Sequence, residues 1–395
     1  MLRFSTAGES HGPGLIGIIE GLPAGLHITA ADINLDLTRR QQGYGRGGRM
    51  QIEQDEAVIL SGVRNEVTLG SPISFVIWNR DHENWSDIMG AGSCPKIDHR
   101  VVARPRPGHA DLAGGMKYHH QDLRNVLERA SARETATRVA AGAFFKKFLK
   151  RFDIYIYSQV LEIGGVVAAP AHITKDNLKE MQQYIEDSSV RCYYYEASQQ
   201  MVARIDQARS EGESLGGMFE VGALGVPPGL GSHTAGEMRL DGRLTSLMMS
   251  IPAIKAVEIG DGIANSRMPG SLVHDAIYWQ EQSGIERRTN RAGGVEGGIS
   301  NGETILTRSY MKPIPTLYKP LTSVNTSTWE EEKADVERSD ICAVPAAAVV
   351  GEAMMAYGLA QAFSEKFAGD HMDEMGTSFR EYRSYLKKVW KWEKI

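Results

Sequence analysis

The sequence predicts an α+β fold built around two long buried helices. Residues 121–152 and 345–369 are rich in small and apolar residues at helical spacing, and each follows a loop of charged residues. Elsewhere apolar strands recur at short intervals with few helices between them, which argues against a doubly wound parallel sheet. The repeated loop-plus-helix unit suggests an internal pseudo-duplication: two similar halves with their glycine- and proline-rich loops gathered at one end.

A chain of 395 residues can bury a large core, as one large domain or two ordinary ones. The net charge of −5 argues against general nucleic-acid binding, which needs a basic surface. Arginine clusters in a mildly acidic chain point instead to local anion sites. Cys94, Cys192 and Cys342 are far apart and form no C-x-x-C pair, so free thiols in a reducing compartment are expected rather than disulfides or zinc. The opening MLRFSTAGESHG has no apolar core of signal-peptide length. The apolar run Ala343 to Ala362 contains Glu352 and reads as a buried helix rather than a membrane span. The expectation is a cytoplasmic protein with no membrane, nucleic-acid or metal partner.

In chain order, GESHG around His11 is a polar turn ahead of a strand at Ile16, Ile18 and Ile19. Alone, His11 reads as a solvent-exposed turn residue; a second glycine-flanked histidine at His109 shifts that balance. Residues 30–43 read as a helix capped by Thr29. It runs into TRRQQGYGRGGRM, where Gly43, Gly45 and Gly48 satisfy G-x-G-x-x-G. A polar helix precedes this motif and no apolar helix follows, so the dinucleotide reading fails on context. A mobile loop presenting Arg40, Arg46 and Arg49 to an anion fits better. Residues 50–78 alternate as strands, and 79–100 read as a polar surface loop.

Residues 104–138 are the hub. Pro105 and Pro107 exclude a regular helix around His109, and Gly108 frees the backbone beside it. A helix then carries Arg129 and Arg133 one turn apart, an arrangement suited to a small, highly anionic ligand. A strand at 154–166 follows. Residues 172–215 read as a peripheral insertion and the segment from 375 to 395 as a peripheral tail. Residues 240–250 read as a helix stopped by Pro252. GGISNG matches G-x-S-x-G, but a strand follows it, so it is a hairpin turn and not a nucleophile elbow. MKPIPTLYKPL is rigid and extended. Asp340 lies just before the last long helix, where an aspartate commonly serves as a cap.

These loops together resemble the chorismate synthase family. The resemblance is carried by GESHG, RRQQGYGRGGRM, RPGHAD, RASARET, EGGISNGE, MKPIPTLYKPL and VERSD. They occur in the family's order over nearly the whole chain, except 172–215. The resemblance implies a single domain over 1–395, a β-α-β sandwich with long helices between antiparallel sheets, and a homotetramer. It implies conversion of 5-enolpyruvylshikimate 3-phosphate to chorismate by 1,4 elimination, with reduced FMN required and no net redox change. This is the last common step of the shikimate pathway to the aromatic amino acids.

By the same resemblance, His11, His109 and Asp340 are catalytic. Arg129, Ala130, Ser131, Pro252, Ala253, Gly297, Lys312, Pro313, Ile314, Pro315, Thr316 and Arg338 would hold the flavin. Position 130 is often serine in the family, so alanine here loses one hydroxyl contact. Arg40 and Arg46 match positions associated with NADPH, and a separate flavin reductase is expected as the electron source. The residues suit this chemistry. Two carboxylates and a phosphate call for guanidinium groups, and Arg40, Arg46, Arg49, Arg106 and Arg133 are the candidates. An RNA-binding protein using the Arg/Gly loop, and a flavin-binding protein without lyase activity, are the competing classes.

Overall fold

A computed structural model describes residues 1–47, 54–281, 284–337 and 339–393. Arg49 and Arg338, both expected at the site, lie outside the described residues.

The first sheet contains β1 (Arg3–Ala7), β2 (Gly14–Glu20), β3 (Ala57–Ser61) and β4 (Ile73–Trp78) in the order β1-β2-β4-β3. The second contains β5 (Tyr155–Ile163), β6 (Val166–Val167), β7 (Gly217–Leu224), β8 (Ile254–Ile259) and β9 (Ile305–Met311) in the order β8-β9-β7-β5-β6. All neighbouring strands are antiparallel. In β2, Leu15 and Ile19 point to the core while Ile16 and Ile18 face outward, the period-two alternation of a half-covered sheet.

Among the described residues, the α-helices longer than four residues are α1 (Ala30–Gln41), α2 (Asp111–Tyr118), α3 (Arg124–Ala130), α4 (Thr135–Lys150), α5 (Leu178–Asp187), α6 (Tyr195–Glu211), α7 (Leu240–Met249), α8 (Val344–Lys366) and α9 (Met372–Trp390). A capping box starts α1: Asp32 N–H donates to Thr29 Oγ1 at 3.2 Å, and Thr29 N–H donates to Asp32 Oδ2 at 2.9 Å. The long helices fill the space between the sheets. α4 packs on β2, α1 and α8, while α8 packs on β5 and β7. A Cβ on Gly142 of α4 would lie 2.2 Å from Ala353 Cβ of α8, so glycine is what lets the two helices approach this closely.

α8 is long and apolar enough to cross a membrane, but it is covered on nearly all sides by protein. Its one charged interior residue, Glu352, is fully buried. Arg39 Nη2 donates to Oε1 at 2.7 Å, Lys146 Nζ to Oε2 at 2.7 Å and Ser158 Oγ to Oε1 at 2.7 Å. Burial pushes this carboxyl up, and Arg39 and Lys146 overcome that to hold it well below its ordinary range.

The two halves repeat one plan. Each runs strand, strand, helix, strand, strand, helix: β1, β2, α1, β3, β4, α4, then β5, β7, α7, β8, β9, α8. In both sheets these four strands lie in the order first, second, fourth, third. The duplication suggested by the sequence is thus present in the topology.

Four expectations change, the last of them the peripheral tail at 375–395. The helix expected over 121–152 breaks at Ser131, whose backbone is extended (ψ 141°); α3, a 3₁₀ turn at Ala132–Glu134 and α4 take its place. Arg129 and Arg133 therefore do not share a helix face. The 79–100 excursion is not merely a surface loop, because Asp81 and Trp85 are buried. The segment 172–215 is layered on the core: Met201, Ile205 and Ala208 give α6 an apolar stripe that joins the main core cluster. In α9, Phe379 packs against Phe152, Phe363 and Phe367.

Candidate active site

The loops at one end of the two halves enclose a cavity of about 540 Å³. Among the expected residues, His11, Arg40, Arg46, Arg106, His109, Ala130, Ser131, Arg133, Pro252, Ala253, Lys312, Ile314, Pro315, Thr316 and Asp340 line it. Arg129 does not; its guanidinium donates to Gly8 O, Thr6 O and Thr6 Oγ1 at 2.8–3.0 Å, tying α3 to the His11 turn. Pro313 is outside the lining, and Gly297 sits in the open turn of the Val295–Ser300 hairpin.

His11 occupies the turn between β1 and β2. Asn79 clamps that turn, its Nδ2 donating to Glu9 O at 3.1 Å and Gly12 O at 2.8 Å. His11 Nδ1 lies 2.9 Å from both carboxylate oxygens of buried Glu128. The imidazole stacks on Trp85 at 3.9 Å between centroids. Burial pushes the Glu128 carboxyl up, but the His11 hydrogen bond and the nearby Arg124 bring it below its ordinary range.

His109 occupies the rigid loop before α2. Gly108 there has φ +83°, which permits the turn, and its carbonyl accepts a hydrogen bond from Lys312 Nζ. His109 Nδ1 lies 2.5 Å from Asp111 Oδ1. Arg106 Nε donates to Asp111 Oδ2 at 2.9 Å and Arg106 Nη1 to Thr316 Oγ1 at 2.9 Å. Burial raises the Asp111 carboxyl, but His109 and Arg106 pull it far below its usual range.

Arg40 and Arg133 converge on one buried carboxylate, Asp55. Arg40 Nη1 is 3.2 Å from Asp55 Oδ2, and Arg133 Nη1 bonds Asp55 Oδ1. Burial, together with Arg46 and Arg133, pushes the Arg40 guanidinium down to about 10 although Asp55 opposes this. Two arginines on one carboxylate leave net positive charge facing the cavity.

Asp340 closes the far wall. It does not cap α8, whose N-cap is Ala343; its Oδ1 accepts from Gly47 N–H at 2.7 Å and its Oδ2 lies 3.2 Å from Arg46 Nη1. A side chain on Gly47 would meet Ser339 O at 2.8 Å, so these two segments touch backbone to backbone. Leu127, Ala130, Pro252, Ala253, Ile314 and Pro315 form an apolar face beside these charges. Ala253 holds φ +68°, unusual for a residue with a side chain.

Sequence reasoning missed Asp55, Asn79, Asp81, Trp85, Arg100, Asp111 and Glu128. One signal was available: Arg124 and Glu128 are four apart on a helix, the spacing of an ion pair, and their ends meet at 3.1 Å. Asp111 opens α2 only two and five residues from its partners His109 and Arg106, while Asp55, Asn79, Asp81, Trp85 and Arg100 meet partners distant in sequence.

Comparison with known proteins matches this architecture to chorismate synthases. The family model described as chorismate synthase matches residues 2–364. The chorismate synthase of Syntrophomonas wolfei is 61% identical over 395 residues, covering 100% of both chains. That of Moorella thermoacetica is 54% identical over 389 residues, covering 98% of this chain and 100% of the relative. A crystal structure of a chorismate synthase superposes with a TM-score of 0.80 at 44% identity, covering 98% of this chain and 99% of the other.

Proposed function

The chain belongs to the chorismate synthase family, and from that premise we propose that it converts 5-enolpyruvylshikimate 3-phosphate to chorismate. The reaction is a 1,4 (anti) elimination of phosphate and a ring proton, with reduced FMN bound and no net redox change. The observation that carries this reading is a single cavity in which four guanidinium groups, from Arg40, Arg46, Arg106 and Arg133, surround two carboxylate-held histidines. A substrate with two carboxylates and a phosphate needs such a set, because arginine stays charged and grips oxyanions with paired donors.

The chain's own groups take distinct roles. A protonated His11, backed by Glu128, stabilises charge on the departing phosphate. His109, backed by Asp111, serves the flavin side. Asp340 is the proton acceptor on that wall, held ready by Gly47 N–H and Arg46. The residues present fit a flavin phosphate: the apolar face from Ala130 to Pro315 suits a flat ring, and Lys312 and Thr316 add polar anchors. Ala130, Ser131, Pro252, Ala253, Lys312, Ile314, Pro315 and Thr316 would hold it. Reduced FMN supplies transient electron donation when bound. A separate NADPH-using flavin reductase supplies the electrons.

We further propose a cytoplasmic homotetramer. The outer face of the first sheet exposes Ile16, Ile18, Val58, Leu60 and Trp78, an apolar surface suited to another copy. Anaerobic incubation with chemically reduced FMN and enolpyruvylshikimate phosphate tests the activity. Stoichiometric release of phosphate with chorismate is expected, and no phosphate release would sink the reading.

A further inference from the structure

The two cavity histidines are held alike but loaded differently. In each, Nδ1 meets a buried carboxylate, Glu128 for His11 and Asp111 for His109. That bond fixes the ring and turns Nε2 away from the carboxylate. Asp111 is also the main partner of Arg106, accepting from its backbone N–H at 3.1 Å, its Nε at 2.9 Å and its Nη2 at 3.1 Å. Glu128 is committed mostly to His11. It accepts from the His11 backbone N–H at 2.9 Å as well as facing Nδ1, and among the described residues its carboxylate takes Arg124 Nη1 besides, at 3.1 Å.

The rest of the His11 environment is equally directed. Its Nε2 lies 4.0 Å from Asp81 Oδ2. Trp85 covers the ring, with the guanidinium groups of Arg100 and Arg124 4.0 and 5.1 Å from the indole centroid. A histidine that merely filled a turn would not need its backbone and its ring held by one buried carboxylate.

We infer that Glu128 is a positioning residue for the lyase reaction, holding Nδ1–H of the protonated His11 so that its Nε2–H is aimed at the leaving phosphate. The inference rests on the reading proposed above. It separates Glu128 from Asp111. Neutralising Asp111 loosens both Arg106 and His109, so substrate affinity and turnover fall together. Neutralising Glu128 acts through His11 alone, because Arg124 keeps a second carboxylate, Glu337 Oε1 at 3.1 Å from its Nη2.

The test is anaerobic turnover by the full chain with reduced FMN and enolpyruvylshikimate phosphate, comparing wild type, E128Q, E128D, H11A and the H11A/E128Q double variant. E128Q should lower kcat about 10–100-fold, as outer-shell partners of functional histidines do, with KM little changed. E128D should recover part of the loss, and FMN binding should match wild type in both. In the H11A background, E128Q should cost nothing further. An equal fold-loss in both backgrounds, or an unchanged kcat in E128Q, overturns the inference. Should E128Q not fold, E128D is read the same way: a loss that vanishes beside H11A supports the role, and one that persists overturns it. An inactive wild type would instead sink the lyase reading itself.

Discussion

The two halves share a topology but not a task. In the first, residues 8–13 between the first two strands carry His11; in the second, the same connection spans 164–216 and holds α5 and α6. After the first helix of each half comes a site segment: 42–47 with Arg46 in one, 250–253 with Pro252 and Ala253 in the other. After the fourth strand, residues 79–134 bring Trp85, Arg106, His109 and Arg133, while 312–343 bring a proline-stiffened wall and Asp340. The first half supplies ionisable groups and the second mainly supplies fixed backbone.

The difference shows what each kind of residue requires. A buried charge is costly unless paired, so the first half carries its own buried counterions: Asp55 for Arg40 and Arg133, Asp111 for Arg106 and Glu128 for His11. A backbone wall needs only rigidity, which prolines and close packing provide. Arginines buried in this way, each with a fixed carboxylate, are also unlike residues that track a nucleic acid over an open surface.

Replacing His109 by alanine, in the chemical half, should lower turnover about 10²–10⁴-fold while FMN binding, followed by flavin fluorescence, survives. Turnover equal to wild type would remove the division of labour. Glu352→Ala breaks the junction between halves, where α8 meets Arg39 and Lys146. It should destabilise the chain by about 3 kcal/mol in denaturant melts, because Arg39, Lys146 and Arg191 lose the fully buried carboxylate they share and keep only Asp36 and Glu186 among the described residues.

The same carboxylate sets a pH dependence. A group held below its ordinary value of 4.5 contributes its full stability above that pH and loses it as pH falls through the folded value. E352Q should therefore flatten the loss of stability below about pH 4.5, measured by urea titration at stepped pH. Asp340→Asn, the contact of the second half with Arg46 and Gly47, should lower kcat about 10–100-fold and leave the melting temperature near wild type. Smallest of all, Ala253→Gly should relieve the left-handed backbone of the wall. It should stabilise the fold by up to about 1 kcal/mol without loss of turnover. A large activity loss there would mean that the second half does more than provide a wall.

The amino-acid sequence alone was enough for the α+β class, the two central helices, the repeated loop-plus-helix plan, and the cavity residues that sit in distinctive glycine and proline contexts, His11, Arg46 and His109 among them. These are local signals, read from spacing and backbone chemistry. Packing in three dimensions set the break at Ser131, the burial of Trp85 against His11, and the sharing of Asp55 by Arg40 and Arg133. Each of these depends on groups tens of residues apart meeting in a dry interior. There, the need to pair every buried charge selects partners that no local pattern of the chain can name.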